Sequence, residues 1–296
     1  QHLKSVEAAA AISNASVDGA QLNSQELVFR PEAVNPGRYH FSIGTAGSTS
    51  LVLQTIFIPL ALSGGTSHVT ITGGTHVPHS PCFHYVDLQW MAFMRRIGYR
   101  GKIQMEQAGF YPQGGGKLLA TIQPAGEIHS IELIQRGPLR KISGISAVAN
   151  LDPGIAKRQK HRALQRLEPA FPSVKIKEQE LKSTTKGTFL LILGEFAGSS
   201  CCYFALGERG KPAERVADEA VDAFEACIAT EAAIDQYLAD QLLLPLAFAD
   251  GESRLHTAQV TTHLLTNAEI IHLFTPAKIT IEGNLGEPGW VTLQPK

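Results

Sequence analysis

The sequence predicts an α+β fold of the α/β-sandwich kind. A large domain of three βαβαββ repeats, the first N-terminally incomplete, carries a small inserted α+β domain. Three observations predict it. A series of strand and helix patterns between residues 39 and 123 recurs in the same order toward the C-terminus. Residues 137–231 interrupt the recurrence and differ from it in composition. The chain opens on what reads as the tail of the same unit.

The complete unit begins with Tyr39-His40-Phe41-Ser42-Ile43, which alternates as a strand. Gly44-Thr45-Ala46-Gly47-Ser48 opens a helix that runs to about residue 62. His68-Val69-Thr70-Ile71-Thr72 is a second strand, ended by Gly73-Gly74, and a second helix covers 83–97. Strands at 102–107 and 117–123 follow, joined by a segment ending in Gly114-Gly115-Gly116, most simply a hairpin turn. In the later copy, Ile131-Glu132-Leu133-Ile134 is the first strand, 233–249 a helix and 253–260 a strand. A helix starting near His263 comes next, then strands at 278–282 and 290–293. The N-terminal stretch supplies only a helix, 2–12, and strands near 17–22 and 26–29. By comparison with the later copies, the opening β-α-β of the first unit, about 40 to 50 residues, is expected to be absent, leaving apolar surface exposed.

The expected boundaries are 1–136 with 232–296 for the large domain and 137–231 for the insert. Within the insert, Lys157-Arg158-Gln159-Lys160-His161-Arg162 lies on a helical stretch. This run reads either as a solvated helix face or as a patch that meets RNA phosphates. Strands are expected at 174–177, 188–193 and 201–206, with a helix ending near 229.

Composition narrows the class. Hydrophobic residues make up 44% of the 296 and charged residues 18%, as in a globular protein. The formal net charge of -1 provides no global field for nucleic acid or membrane, so any polyanion site must be local. Cys82, Cys201, Cys202 and Cys227 form no CxxC pair; adjacent Cys201 and Cys202 on a strand would point to opposite faces and read as packing residues rather than a bridge, which suggests a reducing compartment. The longest apolar run, 51–62, contains Gln54 and Pro59 and fits a buried helix rather than a membrane span. With no signal-peptide pattern, a cytoplasmic location is expected.

Four stretches can carry chemistry. In Thr261-Thr262-His263-Leu264-Leu265-Thr266-Asn267, a threonine can cap the helix and place His263 in its first turn. There His263 is either a locally packed residue or one that meets an anion at the helix N-terminus. Gly44-Thr45-Ala46-Gly47-Ser48 is a plain tight turn or a close-approach site for phosphate or sugar; it lacks the P-loop lysine. Gln54 needs a partner inside an apolar run, in the core or on a ligand. Tyr237, Asp240 and Gln241 share one helix face, fit for an ordinary helix contact or for a stacked purine.

Taken together, Gly73-Gly74-Thr75-His76-Val77-Pro78-His79-Ser80-Pro81, Gly109-Phe110-Tyr111-Pro112-Gln113-Gly114-Gly115-Gly116, Tyr237-Leu238-Ala239-Asp240-Gln241 and His263-Leu264-Leu265-Thr266-Asn267 resemble the RNA 3′-terminal phosphate cyclase family. Arg209-Gly210-Lys211-Pro212-Ala213-Glu214 fits as well, and the motifs keep the family's order along essentially the whole chain. The resemblance implies ATP-dependent conversion of an RNA 3′-phosphate into a 2′,3′-cyclic phosphodiester, with Mg²⁺ or Mn²⁺ and a covalent histidine–AMP intermediate. It assigns His263 as the nucleophile. Tyr237, Leu238, Ala239, Asp240 and Gln241 become the adenosine site, with Tyr237 stacked on adenine and Pro81 on its other face. Gln54 and Gln1 become further nucleotide contacts. The family's metal-associated glutamate and phosphate-binding arginines belong to the segment expected to be absent, so no metal ligand is assigned. Cys82 stands where a second proline is common. Two alternatives remain: a non-catalytic cyclase-like RNA-processing or ribosome-assembly factor, which His263 disfavours, and an enolpyruvyl transferase, which would need about twice as many units.

Overall fold

The computed structural model describes residues 1–171 and 173–295. In chain order, helix α1 (His2–Ser13) leads to the strands β1 (Ser16–Asp18) and β2 (Val28–Arg30), an antiparallel pair. Then come β3 (Arg38–Ser42), α2 (Thr49–Leu62) and β4 (Ser67–Gly73). A helical segment runs as α3 (Phe83–Tyr85), a π turn (Val86–Trp90) and α4 (Met91–Arg96), and β5 (Arg100–Gln107) and β6 (Gly116–Gln123) close the unit. After β7 (Glu132–Leu133) the insert contributes β8 (Leu139–Ala149), α5 (Gly154–Leu167), β9 (Val174–Glu180), β10 (Gly187–Phe196), β11 (Ser200–Leu206) and α6 (Ala213–Ala229). The last elements are α7 (Gln236–Leu246), β12 (Ser253–Thr257), α8 (Thr262–Phe274), β13 (Lys278–Glu282) and β14 (Gly289–Gln294).

The internal repeat is visible in the sheets. The middle copy forms a four-stranded sheet in the order β3-β4-β6-β5, with β3 and β4 parallel and the other neighbours antiparallel. The last copy forms β7-β12-β14-β13, again with its first two strands parallel and the rest antiparallel. The two sheets therefore share one topology, while α1, β1 and β2 correspond to the closing α-β-β of a third. The mixed α+β class read from the repeat pattern is the one observed.

Two compact units partition the chain: residues 1–87, 99–126 and 181–187 in the first, and 88–98, 127–180 and 188–296 in the second. In the first, α2 is apolar on nearly every side. Val52, Leu53, Ile56, Phe57 and Leu60 are fully buried, as expected of a helix packed on both its sheet and α1. Ser48 starts α2 by accepting the Leu51 N–H (3.3 Å). Large apolar side chains stay exposed around the β1–β2 hairpin (Leu22, Leu27, Val28) and, in the second unit, on α8 (Ile270, Leu273, Phe274).

In the second unit the inserted elements build the sheet β11-β10-β8-β9. Its core gathers Ile142, Ile176, Leu190, Ile192 and Tyr203 from the strands with Leu167, Val216, Val221 and Phe224 from α5 and α6. The basic run of α5 is largely neutralised. Arg162 pairs with Asp218 (2.8 Å), and Arg166 reaches Asp218 (3.2 Å), Asp222 (2.6 Å) and Glu225 (2.5 Å) along α6. Arg158 meets Glu214 and Lys160 meets Glu178. Among the described residues, Lys157 and His161 are the exposed basic members of the run that make no ion pair.

Several boundaries differ from expectation. Strand β8 was not foreseen, and the strand expected at 131–134 shrinks to β7. The helix expected from 233 starts at Gln236, because Ala233 and Ile234 donate to the His256 carbonyl as an extended lead-in. All four cysteines are buried and free, as the packing reading of Cys201 and Cys202 expects. No helix among the described residues is long and apolar enough to cross a membrane.

Candidate active site

In the first unit, three loops meet at one end of the sheet. The turn after β3 carries Gly44 in the left-handed region (φ 74). The Gln1 side-chain oxygen accepts the Ser48 N–H (2.9 Å), tying the start of α1 to this turn. The loop after β4 is bound to the β5–β6 connection through the Gly109 carbonyl, which accepts the N–H groups of Thr75 (2.9 Å) and His76 (3.0 Å). Gly109 is required there. A Cβ on it would lie 2.3 Å from the Gly116 nitrogen and 2.5 Å from the Gly73 oxygen, both backbone atoms that cannot step aside. The result is a cavity of about 460 Å³ lined by Gln1, Thr45, Ala46, Gly47, Val77, Pro78, His79, Tyr111 and Pro112.

The structure thus brings Gln1 together with three of the stretches picked out in the sequence, 44–48, 73–81 and 109–116. Pro81 lies half-buried later in the loop that supplies Val77, Pro78 and His79, and Gln54 sits half-buried in the second turn of α2. His79 holds a left-handed backbone (φ 58), uncommon for a residue other than glycine.

In the second unit, the two motif helices start from the same end of their sheet. Ile234, just before α7, bridges Thr257 at the end of β12, and the Ala258 N–H returns to the Ile234 carbonyl (3.0 Å). Four residues on, Thr261 caps α8 by accepting the Leu264 N–H (3.0 Å). His263 is the second residue of α8 and is exposed. The N–H groups of that first turn lack the carbonyl partners that later turns have, so an anion beside the ring is favoured.

Helix α7 is anchored by a residue that the sequence reading missed. Asp235 is fully buried, and one carboxylate oxygen accepts the N–H groups of Tyr237 (3.1 Å) and Leu238 (2.9 Å). Its other oxygen accepts from Gln89 Nε2 (2.8 Å) and the Cys202 N–H (3.2 Å). Gln89, on the π turn, also exchanges hydrogen bonds with Ser200. An aspartate just ahead of an apolar helical pattern is an N-cap signal; placing the helix start at 233 hid it.

Of the predicted adenosine residues, Leu238 and Ala239 are fully buried, so their side chains belong to the core. Tyr237 exposes nearly half of its surface (48%) and meets Tyr203 edge-on at 6.1 Å. Asp240 and Gln241 are half-buried on the same face. Burial, with a smaller contribution from the Asp235 charge, pushes the Asp240 carboxyl up to about 7. The face therefore offers an open aromatic ring and, one turn on, a carboxyl that is both donor and acceptor near neutrality, a set that suits a nucleoside.

The described residues do not supply a preassembled metal site beside these groups. Among the described residues, the one group of three metal-ligating side chains is Glu127, His129 and Asp250, exposed beyond the C-terminal end of α7. It lies at the opposite end of that helix from Tyr237.

Comparison with known proteins bears on this arrangement. The family model for RNA 3′-terminal phosphate cyclase matches residues 1–281. The chain is 39% identical over 284 residues to an RNA 3′-terminal phosphate cyclase of Ralstonia nicotianae, covering 95% of this chain and 80% of that protein. It is 37% identical to the protein of that name from Pyrobaculum neutrophilum (95% and 82% covered) and 36% identical to that of Archaeoglobus fulgidus (96% and 84%).

Proposed function

Since the chain belongs to the RNA 3′-terminal phosphate cyclase family, we propose that it converts an RNA 3′-phosphate end into a 2′,3′-cyclic phosphodiester at the expense of ATP, through an adenylylated His263. The observation that carries the assignment is the placement of His263: an exposed imidazole in the first turn of a capped helix, where backbone N–H groups favour a phosphate. A neutral imidazole is a competent nucleophile near pH 7.

In the first step a ring nitrogen of His263 forms a bond to the α-phosphorus as the bond to the bridging oxygen of the β-phosphate breaks, and pyrophosphate leaves. An oxygen of the RNA 3′-phosphate then attacks the same phosphorus, the N–P bond breaks, and AMP is carried on the RNA end. Finally the 2′-hydroxyl attacks the 3′-phosphorus, its proton passes to solvent, and AMP departs as the ring closes. Tyr237 is assigned to stack on adenine, with Asp240 and Gln241 binding the nucleoside's polar edge. The backbone around Leu238 and Ala239 shapes that face. Gln54, Pro81 and Gln1 are assigned as further nucleotide contacts. A divalent ion such as Mg²⁺, when bound to the triphosphate, would neutralise charge on the departing pyrophosphate.

The test is direct. Incubation with α-labelled ATP and Mg²⁺ is expected to give an acid-labile, base-stable protein–AMP adduct that is absent from His263→Ala. No adduct on the wild-type chain, or an undiminished one on the variant, overturns the assignment. An adduct that forms and does not pass to a 3′-phosphorylated oligoribonucleotide would locate the failure in RNA binding, downstream of adenylylation.

A further inference from the structure

The loop between β4 and α3 is closed at its neck by two buried histidines. His76 opens the loop and His84 follows it, and both are buried (1% and 8% exposed). His76 Nε2 lies 2.8 Å from His84 Nδ1. On its other side, His76 Nδ1 lies 2.8 Å from Thr75 Oγ1, which already accepts the Gly109 N–H (2.9 Å). The Phe110 ring stacks on His76 at 5.1 Å.

The chain has two consistent proton arrangements. Thr75 donates to His76 Nδ1 and His76 Nε2 to His84 Nδ1, or His84 Nδ1 donates to His76 Nε2, His76 Nδ1 to Thr75, and Thr75 to the Gly109 oxygen at 3.5 Å. Both place one proton between the two rings and keep His76 neutral. Burial and the proximity of His84 hold His76 well below the usual histidine range, and burial lowers His84 to about 4.

A histidine that only filled core space would need one local partner. This bond instead joins the two ends of a loop, in series with the contact that fixes the loop to the β5–β6 connection. The loop also needs a restraint, because His79 sits in the left-handed region at its tip. The Phe83 N–H donates to the Thr75 carbonyl (2.8 Å) beside the pair, so the neck carries one backbone and one side-chain closure.

We propose that His76 and His84 are a positioning pair, a neutral hydrogen-bonded clasp that holds loop 77–83 in the shape with which Pro81 and its neighbours meet the nucleotide. Neither ring touches the nucleotide. The inference rests on the assignment of Pro81 as a nucleotide contact, and its test separates the two.

Amide hydrogen exchange is followed by mass spectrometry on the full chain, for wild type, His84→Leu and His84→Asn. The asparagine amide can accept through its oxygen or donate through its nitrogen, so it can pair with His76 in either arrangement. Peptides covering 77–83 should exchange about tenfold faster in the leucine variant and return to within about threefold of wild type in the asparagine variant. Unchanged exchange in His84→Leu, or asparagine as fast as leucine, overturns the clasp. Equilibrium titration with ATP gives the second readout, expected to weaken about tenfold in His84→Leu and to recover in His84→Asn. A purely structural defect would lower the folded fraction and leave the Kd of the folded molecules unchanged, which would overturn the positioning role. Wild-type protein that binds no ATP would instead defeat the nucleotide assignment, while the exchange data would still decide the clasp.

Discussion

Substituting Asp235 by Asn tests how α7 is held. The carboxylate accepts four hydrogen bonds at 2.8–3.2 Å, two on each oxygen, with no exposure to water. An amide has one acceptor, so either orientation turns an NH₂ group toward two donors. If it faces α7, the N-terminal N–H groups of Tyr237 and Leu238 lose their cap, a loss of about 1–2 kcal/mol. If it faces Gln89 and Cys202, Gln89 keeps the Ser200 carbonyl, but the Cys202 N–H loses its Asp235 acceptor, costing about 1–3 kcal/mol. Removing the charge recovers part of the desolvation cost of a buried carboxylate. The net loss should be about 1–2 kcal/mol at pH 5.5. Urea unfolding of wild type and Asp235→Asn at pH 5.5 and 8 measures it. The difference should shrink at pH 8, because Asp240 in the variant no longer ionises against a neighbouring negative charge. A variant within about 0.5 kcal/mol of wild type at pH 5.5 would refute the reasoning, since four buried donors would then have been satisfied some other way.

Three further predictions follow from the same physics. Asp240 has a folded-state pKa of about 7, above its unfolded value, so the folded state binds the extra proton and wild-type stability falls as pH rises from about 4 to about 7. Asp240→Asn should match wild type near pH 4 and exceed it at pH 8 by roughly 1–3 kcal/mol, as read by urea unfolding across that window. Arg166→Ala removes the shared partner of Asp218, Asp222 and Glu225 and should cost about 1–2 kcal/mol in low salt, a difference that contracts in 1 M NaCl. Gly109→Ala should lose at least about 3 kcal/mol or fail to fold, because the added methyl meets fixed backbone on two sides; an intact melting transition would contradict the closeness of the loops.

What the sequence made legible was governed by local pattern. The alternation in 39–43 and 68–72, the capping threonine before His263 and the glycines of the β5–β6 turn all act within a few residues, and each appears in the structure where the pattern put it. Strand β8 was missed because Leu139-Arg140-Lys141-Ile142-Ser143-Gly144 carries two adjacent charges near its start and contains a glycine, neither of which favours a strand. Its strand state comes from neighbours on both sides, with β10 next to it in the sheet and β9 parallel to it. The Asp235 network was hidden for the same reason. Its donors come from residues 89, 202, 237 and 238, and only the last two are near in sequence.

The basic run on α5 shows how far a local reading of charge can mislead. Lys157-Arg158-Gln159-Lys160-His161-Arg162 looks like a free cationic face until α6 is laid beside it. Glu214, Asp218, Asp222 and Glu225 then fall along that helix at spacings of three and four, one acidic row against one basic row. Each pair formed this way leaves less charge for phosphate, and Gln159 is buried against Ser146 and Thr188. What this helix still offers a polyanion is Lys157 and His161, one turn apart. A change at Lys157 should therefore weaken RNA retention only slightly, by about one ionic contact in the salt dependence. A change at Arg162 or Arg166 should act on stability first. If Lys157→Ala abolished RNA binding while Arg166→Ala left stability untouched, the pairing of the two helices would be wrong.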